Sequence, residues 1–180
     1  MTVSVFIATS LDGFIARPDG ALDWLPPPPD EGDDFGYHAF MDQTDTLVMG
    51  RHTYETVRGF SDWPYGSKRV VVLTTAGVEI PSALTDRVEA WSGTPKEIAG
   101  RLTAQGSRHV YLDGGRTIQA FLRAGLVDEV ILTRVPVLIG AGLPLFGALN
   151  GDVQMEHVET TAHENGLVQS RYRVLGAGAA

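Results

Sequence analysis

Two short stretches of this chain carry residue types suited to holding phosphate. Met49-Gly50-Arg51-His52-Thr53 and Leu112-Asp113-Gly114-Gly115-Arg116-Thr117 each follow an apolar run that reads as a β-strand, and each leads into a helical pattern. Glycine at such a turn lets an anion approach the backbone, and the first N–H groups of the helix have no partner of their own. In the first stretch Arg51 adds a planar fork for a phosphate, such as the 2′-phosphate that separates NADP from NAD, and Thr53 adds a hydroxyl. In the second, Gly114 and Gly115 suit a pyrophosphate. Two anion sites in one short chain point to a dinucleotide, and through it to a reductase. Each stretch also has a plainer reading: a strand-to-helix turn with a surface Arg, and a tight Gly-Gly turn.

Other residues could complete such a site. Thr74 and Thr75 close an apolar run, where ligands of open α/β sheets bind, although two β-branched strand residues need no such role. Ser10-Leu11-Asp12-Gly13 follows the first apolar run and could cover a nicotinamide, or be an ordinary Asp-Gly turn. Asp34 and His38 stand one helical turn apart in a predicted helix, so they share a face with Phe35 beside them. A carboxylate there, projecting into a cleft, could hold or donate a proton, and partial burial would raise its pKa. The alternative is a solvated pair beside Asp30, Glu31 and Asp33. Residues 139–147 imitate a Gly-x-Gly dinucleotide turn, but Pro144 interrupts and no βαβ unit follows. The five histidines show no metal-ligand spacing, and no metal is expected.

These residues need a scaffold. Apolar runs at 3–8, 46–49, 69–74, 88–91, 109–112 and 130–135 read as buried strands. Helical patterns separate most of them. Thr94-Pro95-Lys96-Glu97 is a capping box with Pro at the first helical position. Ile118, Phe121, Leu122 and Leu126 mark one face of a helix after Gly115. Residues 33–42 and 52–57 are predicted as two more helices. Runs at 153–161 and 167–175 flank His163-Glu164-Asn165-Gly166, an Asn-Gly hairpin pattern. The expectation is an α/β fold: a mixed, mostly parallel sheet of about eight strands, helices on both faces, and an antiparallel C-terminal hairpin. Residues 1–175 are expected to form a single domain, 176–180 a frayed tail, and Pro26-Pro27-Pro28-Pro29 a stiff cleft rim.

Composition narrows the partners. The 180 residues suffice for one full core, and 43% hydrophobic with 20% charged residues is ordinary for a soluble protein. A net charge of −8 argues against nucleic acid or an anionic membrane as partner. With no cysteine, disulfides, iron–sulfur clusters and thiolate zinc sites are excluded. No secretory pattern and no run of ~20 apolar residues is present, so a cytoplasmic location is expected.

Taken in order, the motifs resemble the dihydrofolate-reductase-like superfamily, and more closely the reductase domain of bacterial riboflavin biosynthesis and its stand-alone relatives. The matching pieces are Ala8-Thr9-Ser10-Leu11-Asp12-Gly13-Phe14-Ile15-Ala16, Leu47-Val48-Met49-Gly50-Arg51-His52-Thr53-Tyr54-Glu55 and Val71-Val72-Leu73-Thr74-Thr75. Leu112-Asp113-Gly114-Gly115, Gly125-Leu126-Val127-Asp128-Glu129-Val130 and residues 136–146 complete the set. The resemblance implies a three-layer dihydrofolate-reductase-like fold with NADPH as cofactor, a small-molecule substrate and a homodimer. It implies that Gly50, Arg51 and Thr53 hold phosphates, that Thr74 and Thr75 lie beside the adenosine ribose, and that Gly114 and Gly115 lie under the pyrophosphate. Arg116 and Thr117 stand at the same helix start, and Ala8, Asp12 and Gly13 reach the nicotinamide. Dihydrofolate reductases also carry an acidic residue on the first helix, after a Trp; Trp24 and Asp34 fall at comparable places, so Asp34 is the candidate catalytic residue. The prolines and acidic cluster between them depart from that pattern, as does Asp113 where three glycines are usual. The function expected is hydride transfer from NADPH to a C=N or C=O group of a small heterocyclic or sugar-like substrate. The alternatives are a free-standing 5-amino-6-(5-phosphoribosylamino)uracil reductase and a non-catalytic NADPH-binding module.

Overall fold

A computed structural model describes residues 1–26 and 34–176. Strand β1 (Thr2–Ser10) leads through β2 (Phe14–Ala16) to helix α1 (Tyr37–Gln43). Then come β3 (Thr46–Gly50), α2 (Arg51–Arg58), β4 (Arg69–Leu73), β5 (Val88–Trp91), α3 (Pro95–Ala104) and β6 (His109–Asp113). The chain continues through α4 (Gly115–Arg123), β7 (Glu129–Val135), β8 (Leu143–Pro144), β9 (Met155–Ala162) and β10 (Val168–Val174).

Eight strands form one sheet in the order β5-β4-β3-β6-β1-β7-β10-β9. Pairings from β5 across to β7 are parallel, and β10 pairs antiparallel with both β7 and β9. The expected sheet and terminal hairpin are therefore present. The parallel strands are short and apolar on both sides because both faces are covered. On one face Ile98 and Leu102 of α3 and Ile118 and Phe121 of α4 are fully buried against Val5, Val48, Val71 and Leu112. On the other, Met41 of α1 and Tyr54 and Val57 of α2 pack on Leu47, Met49, Val70 and Val72. Removing a ring such as Phe121 from so closed a layer costs about 3–5 kcal/mol.

Local chemistry explains where the helices start. The capping box of α3 is formed: Thr94 Oγ1 accepts the Glu97 N–H, and the Glu97 carboxylate accepts the Thr94 N–H at 2.7 Å. Helix α1 starts later than the sequence pattern predicts, at Tyr37. Phe35 and Gly36 both adopt left-handed backbone (φ 57° and 77°), and the Asp34 carboxylate accepts the N–H groups of Gly36 and His38. Those bonds hold Asp34 outside the helix. Of the expected helix, residue 33 lies outside the described residues, as do 27–29 of the proline run and 177–180 of the tail.

A second pairing was not expected from sequence. β2 pairs with β8, so the segment after β1 is fastened to the loop before the terminal hairpin. Among the described residues no helix is long and apolar enough to cross a membrane, and no cluster of three or more His, Cys, Asp or Glu is placed to hold a metal.

Candidate active site

β3 and β6 are neighbours, with Met49 opposite Asp113. From β3 the chain passes through α2 to β4 on one side; from β6 it passes through α4 towards β7 on the other. The strand order reverses between them, and the two helices lie on opposite faces of the sheet. Open α/β sheets bind ligands outside the carboxyl ends of their strands at such a reversal. The two glycine turns read from sequence flank this point.

Both turns leave backbone donors unused. α3 satisfies its first N–H groups with a capping box, whereas α2 and α4 begin on Gly50 and Gly114 with no side-chain cap. An uncapped N-terminus is a positive dipole end with free N–H groups. The turns also interlock. Gly114 has φ 87°, and a Cβ there would collide with Thr53 Oγ1; a Cβ on Gly50 would come within 3.3 Å of Thr117 Oγ1. The structure thus brings Gly50, Thr53, Gly114 and Thr117 together in one cradle. Gly115 has no positive φ; it is small because Ile15 Cδ1 and the Pro144 carbonyl crowd it, at 3.0 and 3.2 Å from a built Cβ. A dinucleotide's phosphates suit two uncapped helix starts with hydroxyls between them.

The remaining candidates sit around its rim. Arg51 Nε contacts Glu55 Oε1 at 3.1 Å, with both side chains about two-fifths exposed (41% and 39%). Arg116 is exposed. Thr74, just past β4, shapes its own turn: its hydroxyl donates to the Gly77 carbonyl and accepts the Ala76 N–H. Thr75 is exposed beside it.

The first loop makes the Asp-Gly turn of the plainer reading, the Gly13 N–H donating to the Ser10 carbonyl at 2.9 Å, and adds a clasp to it. The Asp12 carboxylate accepts the Ser10 hydroxyl at 2.6 Å, the Gly140 N–H at 2.7 Å and the Ile139 N–H at 3.3 Å. The Ser10 hydrogen bond, followed by these N–H donors, holds its carboxyl below the usual range. Its charge is committed to clasping residues 139–140. Gly13 joins the clasp, its carbonyl accepting the Leu145 N–H. Ala8 packs with Trp24, Phe35 and Val135 beneath the loop. The Trp24 indole N–H is buried there and has no hydrogen-bond partner among the described residues, leaving a donor for a ligand.

Asp34 does not meet the electrostatic expectation. The His38 N–H, then the Gly36 N–H and the His38 ring, hold its carboxyl below its ordinary value, not above it. The sequence placed Asp34 and His38 on one helix face; they do meet, at 2.5 Å, but with Asp34 ahead of the helix. The acid with the opposite tendency is Asp113, which sequence reading took only as part of a turn. It is half-buried at the end of β6, and loss of solvent pushes its carboxyl up. The Gly114 N–H donates to it at 2.7 Å and opposes that shift, as does the Tyr65 hydroxyl nearby. Tyr37, at the start of α1, feels the Asp113 charge and is pushed up to about 12, mainly by its own burial.

Comparison with known proteins sets this geometry in a family. A model described as the RibD C-terminal domain matches residues 1–169. The chain belongs to that family. A putative riboflavin biosynthesis protein from Shewanella sp. PV-4 superposes with a TM-score of 0.90 at 42% identity, covering 97% of this chain and 99% of that one. A Thermotoga maritima diaminohydroxyphosphoribosylaminopyrimidine deaminase/5-amino-6-(5-phosphoribosylamino)uracil reductase shares the fold (TM-score 0.75, 16% identity), covering 97% of this chain and 56% of that one. An Enterococcus faecalis dihydrofolate reductase complexed with NADP(H) shares it too (TM-score 0.63, 17% identity, 96% of each chain).

In this RibD C-terminal domain the structure thus gathers the two glycine turns, places Thr74 and Thr75 at the end of a neighbouring strand, and clasps the first loop. It leaves Asp34 as a helix-start acceptor. A strand-end acid beside paired glycines was the available clue to Asp113. Two of its tyrosine neighbours, Tyr37 and Tyr65, come from elsewhere in the chain, so sequence spacing could not show them.

Proposed function

We propose that this chain is an NADPH-dependent reductase that delivers hydride to a C=N or C=O carbon of a small heterocyclic or sugar-like substrate. Membership of the RibD C-terminal domain family and a fold shared with dihydrofolate reductase support a reductase. The observation that carries the cofactor is the pair of uncapped helix starts at the strand-order reversal. On this reading Gly50, Arg51, Thr53, Gly114, Gly115, Arg116 and Thr117 hold phosphates. Thr74 and Thr75 border the ribose, and Ala8, Asp12 and Gly13 form the wall and clasp of the nicotinamide end. A bound nicotinamide supplies the hydride. The protein's share is to orient substrate, exclude water and deliver a proton.

We assign that proton to Asp113 in place of Asp34. A carboxyl that burial raises, with the Gly114 N–H ready for the charge it leaves behind, suits a general acid. Asp34, stabilised as the anion, does not.

Arg51 is the proposed 2′-phosphate ligand. Its exposed pair with Glu55 is worth about 0–1 kcal/mol, less than the roughly 1.5–3 kcal/mol of a charge-assisted hydrogen bond. A phosphate can therefore recruit it. Calorimetry should show NADPH binding more tightly than NADH, and Arg51→Ala should remove most of that difference while sparing NADH. Equal affinities in the parent protein would count against the assignment.

A free-standing 5-amino-6-(5-phosphoribosylamino)uracil reductase is the second reading, favoured by the family description and the Shewanella neighbour. A screen following NADPH absorbance decides among the readings. It should include that pyrimidine, dihydrofolate, and simple aldehydes, ketones and imines. NADPH binding with no oxidation across the panel identifies a non-catalytic module.

A further inference from the structure

Among the described residues one non-glycine residue holds a left-handed backbone, and it is a bulky one: Phe35, with φ 57°. A side chain there is strained, since its Cβ crowds the neighbouring carbonyl oxygen. Such strain persists only where the surroundings impose it, and it gathers at ligand clamps. Two of the groups that hold Phe35 come from the far end of the chain. Gln169 of β10 reaches the segment before α1, and its Nε2 donates both to the Phe35 carbonyl and to Thr133 Oγ1, each at 3.0 Å. Thr133 is the sheet partner of Gln169 on one side and of Ala8 on the other. The amide thus stands at the end of a row that runs from β10 to β1, and it fixes the peptide that follows Phe35.

The ring is held as well. It stands edge-on to His163 in the hairpin turn, with centroids 4.7 Å apart and planes at 87°. That turn is closed by its own hydrogen bonds: the His163 N–H donates to the Leu167 carbonyl and the Gly166 N–H to the His163 carbonyl, both at 2.9 Å. Phe35 packs with Ala8, Trp24, Val135 and Leu167 in an apolar cluster separate from the two layers of the main core. The same cluster holds the buried Trp24 indole N–H, which has no hydrogen-bond partner among the described residues. A strained backbone and an unmatched buried donor therefore fall together, towards the carboxyl end of β1.

We propose that Gln169 is a positioning residue for the nicotinamide end of the site: its amide keeps Phe35 in the strained conformation that packs the phenyl ring on Ala8, where it walls the nicotinamide ring of the dinucleotide. The proposal rests on the reading of NADPH as cofactor with Ala8 at its nicotinamide end. The plainer account is an amide that only ties the hairpin to α1. A simple tie would need no strained residue. Glycine at position 35 would offer the same carbonyl to the amide with its backbone at ease, as Gly36 does next door at φ 77°. What glycine cannot supply is the ring.

The test compares NADPH with 2′-phospho-ADP-ribose, which lacks only the nicotinamide, by calorimetry on the full chain. Gln169→Leu removes both hydrogen bonds at similar size. It should weaken NADPH roughly tenfold, the worth of about one net hydrogen bond, and leave 2′-phospho-ADP-ribose unchanged. Phe35→Gly frees the backbone and removes the ring, and should show the same selective loss. In the Phe35→Gly background Gln169→Leu should then change neither affinity, because no ring remains to be positioned. If Gln169→Leu does not fold, Gln169→Glu, which keeps the length but cannot donate when ionised, replaces it in each comparison. An unchanged NADPH affinity, or an equal loss of both ligands, makes the amide a structural tie and overturns the proposal. So does a Gln169→Leu effect that persists in full without the Phe35 ring. A parent protein that binds neither ligand defeats the cofactor reading itself, and the proposal with it.

Discussion

Asp34 and Asp113 show how surroundings set a carboxyl group's task. Asp34 is surrounded by N–H donors at a helix start and favours its charged form. Asp113 loses more solvent than the Gly114 N–H returns, and its carboxyl is pushed up. Their substitutions should therefore behave differently. Asp34→Asn keeps one acceptor oxygen where Gly36 and His38 N–H groups meet two, and should leave turnover near the parent value. Asp113→Asn should lower turnover by roughly a hundredfold, the scale of general acid catalysis, with NADPH affinity unchanged. It should also change stability in a pH-dependent way. Because the folded-state pKa of Asp113 lies above its unfolded value, any stability that it lends is present below the unfolded pKa and is lost as pH rises through the folded one. Relative to the parent, Asp113→Asn should thus gain stability from pH 4 to pH 8. Urea melts at both pH values check this; a gain that shrinks with rising pH would refute a raised pKa.

At the scale of elements, the site depends on two turns that fit each other. Gly114 answers two demands at once: a left-handed backbone, and room for Thr53. Gly114→Ala should cost about 1–3 kcal/mol for the backbone alone, with the clash on Thr53 added. Thr53→Ala in the same chain should relieve only the second part. Denaturant melts of the two single variants and the double variant measure it, and strict additivity would show that the turns are independent. How much of this was legible follows from how local each feature is. The α3 capping box is written in four consecutive residues, and the buried strands in short apolar runs, so both were readable. The start of α1 was not, because left-handed Phe35 and Gly36 with the Asp34 carboxylate displace it. The β2–β8 pair escaped notice because three residues meet two across most of the chain. The glycine turns were legible as strand-to-helix turns, and both helices do start there without a side-chain cap. That Gly115 is crowded by Ile15 and Pro144 required the loop that the clasp of Asp12 brings over it.

At the scale of the whole molecule, the sheet is finished unevenly. The parallel strands from β4 to β7 are covered by helices on both faces, while β9 ends the sheet with an open edge and is exposed along nearly its whole length. Its hairpin carries Val158 at 45% and Val168 at 37% exposure, and the loop before it presents Leu138 at 69% and Phe146 at 45%. An exposed terminal strand is a template for pairing, and closed two-fold dimers are the usual way a chain covers such a surface. The expected state is a homodimer joined through the hairpin. Sedimentation at micromolar concentration should give twice the 19.4 kDa chain mass. Val158→Glu, adding charge to a strand that already holds Glu156 and Glu159, should shift it to monomer without changing NADPH affinity. A parent protein that sediments as a monomer overturns the dimer itself. A dimer that survives Val158→Glu but falls apart with Leu138→Glu moves the contact to the loop. That outcome would place the partner against the segment clasped by Asp12, so that cofactor binding, unlike in the hairpin dimer, should then depend on protein concentration.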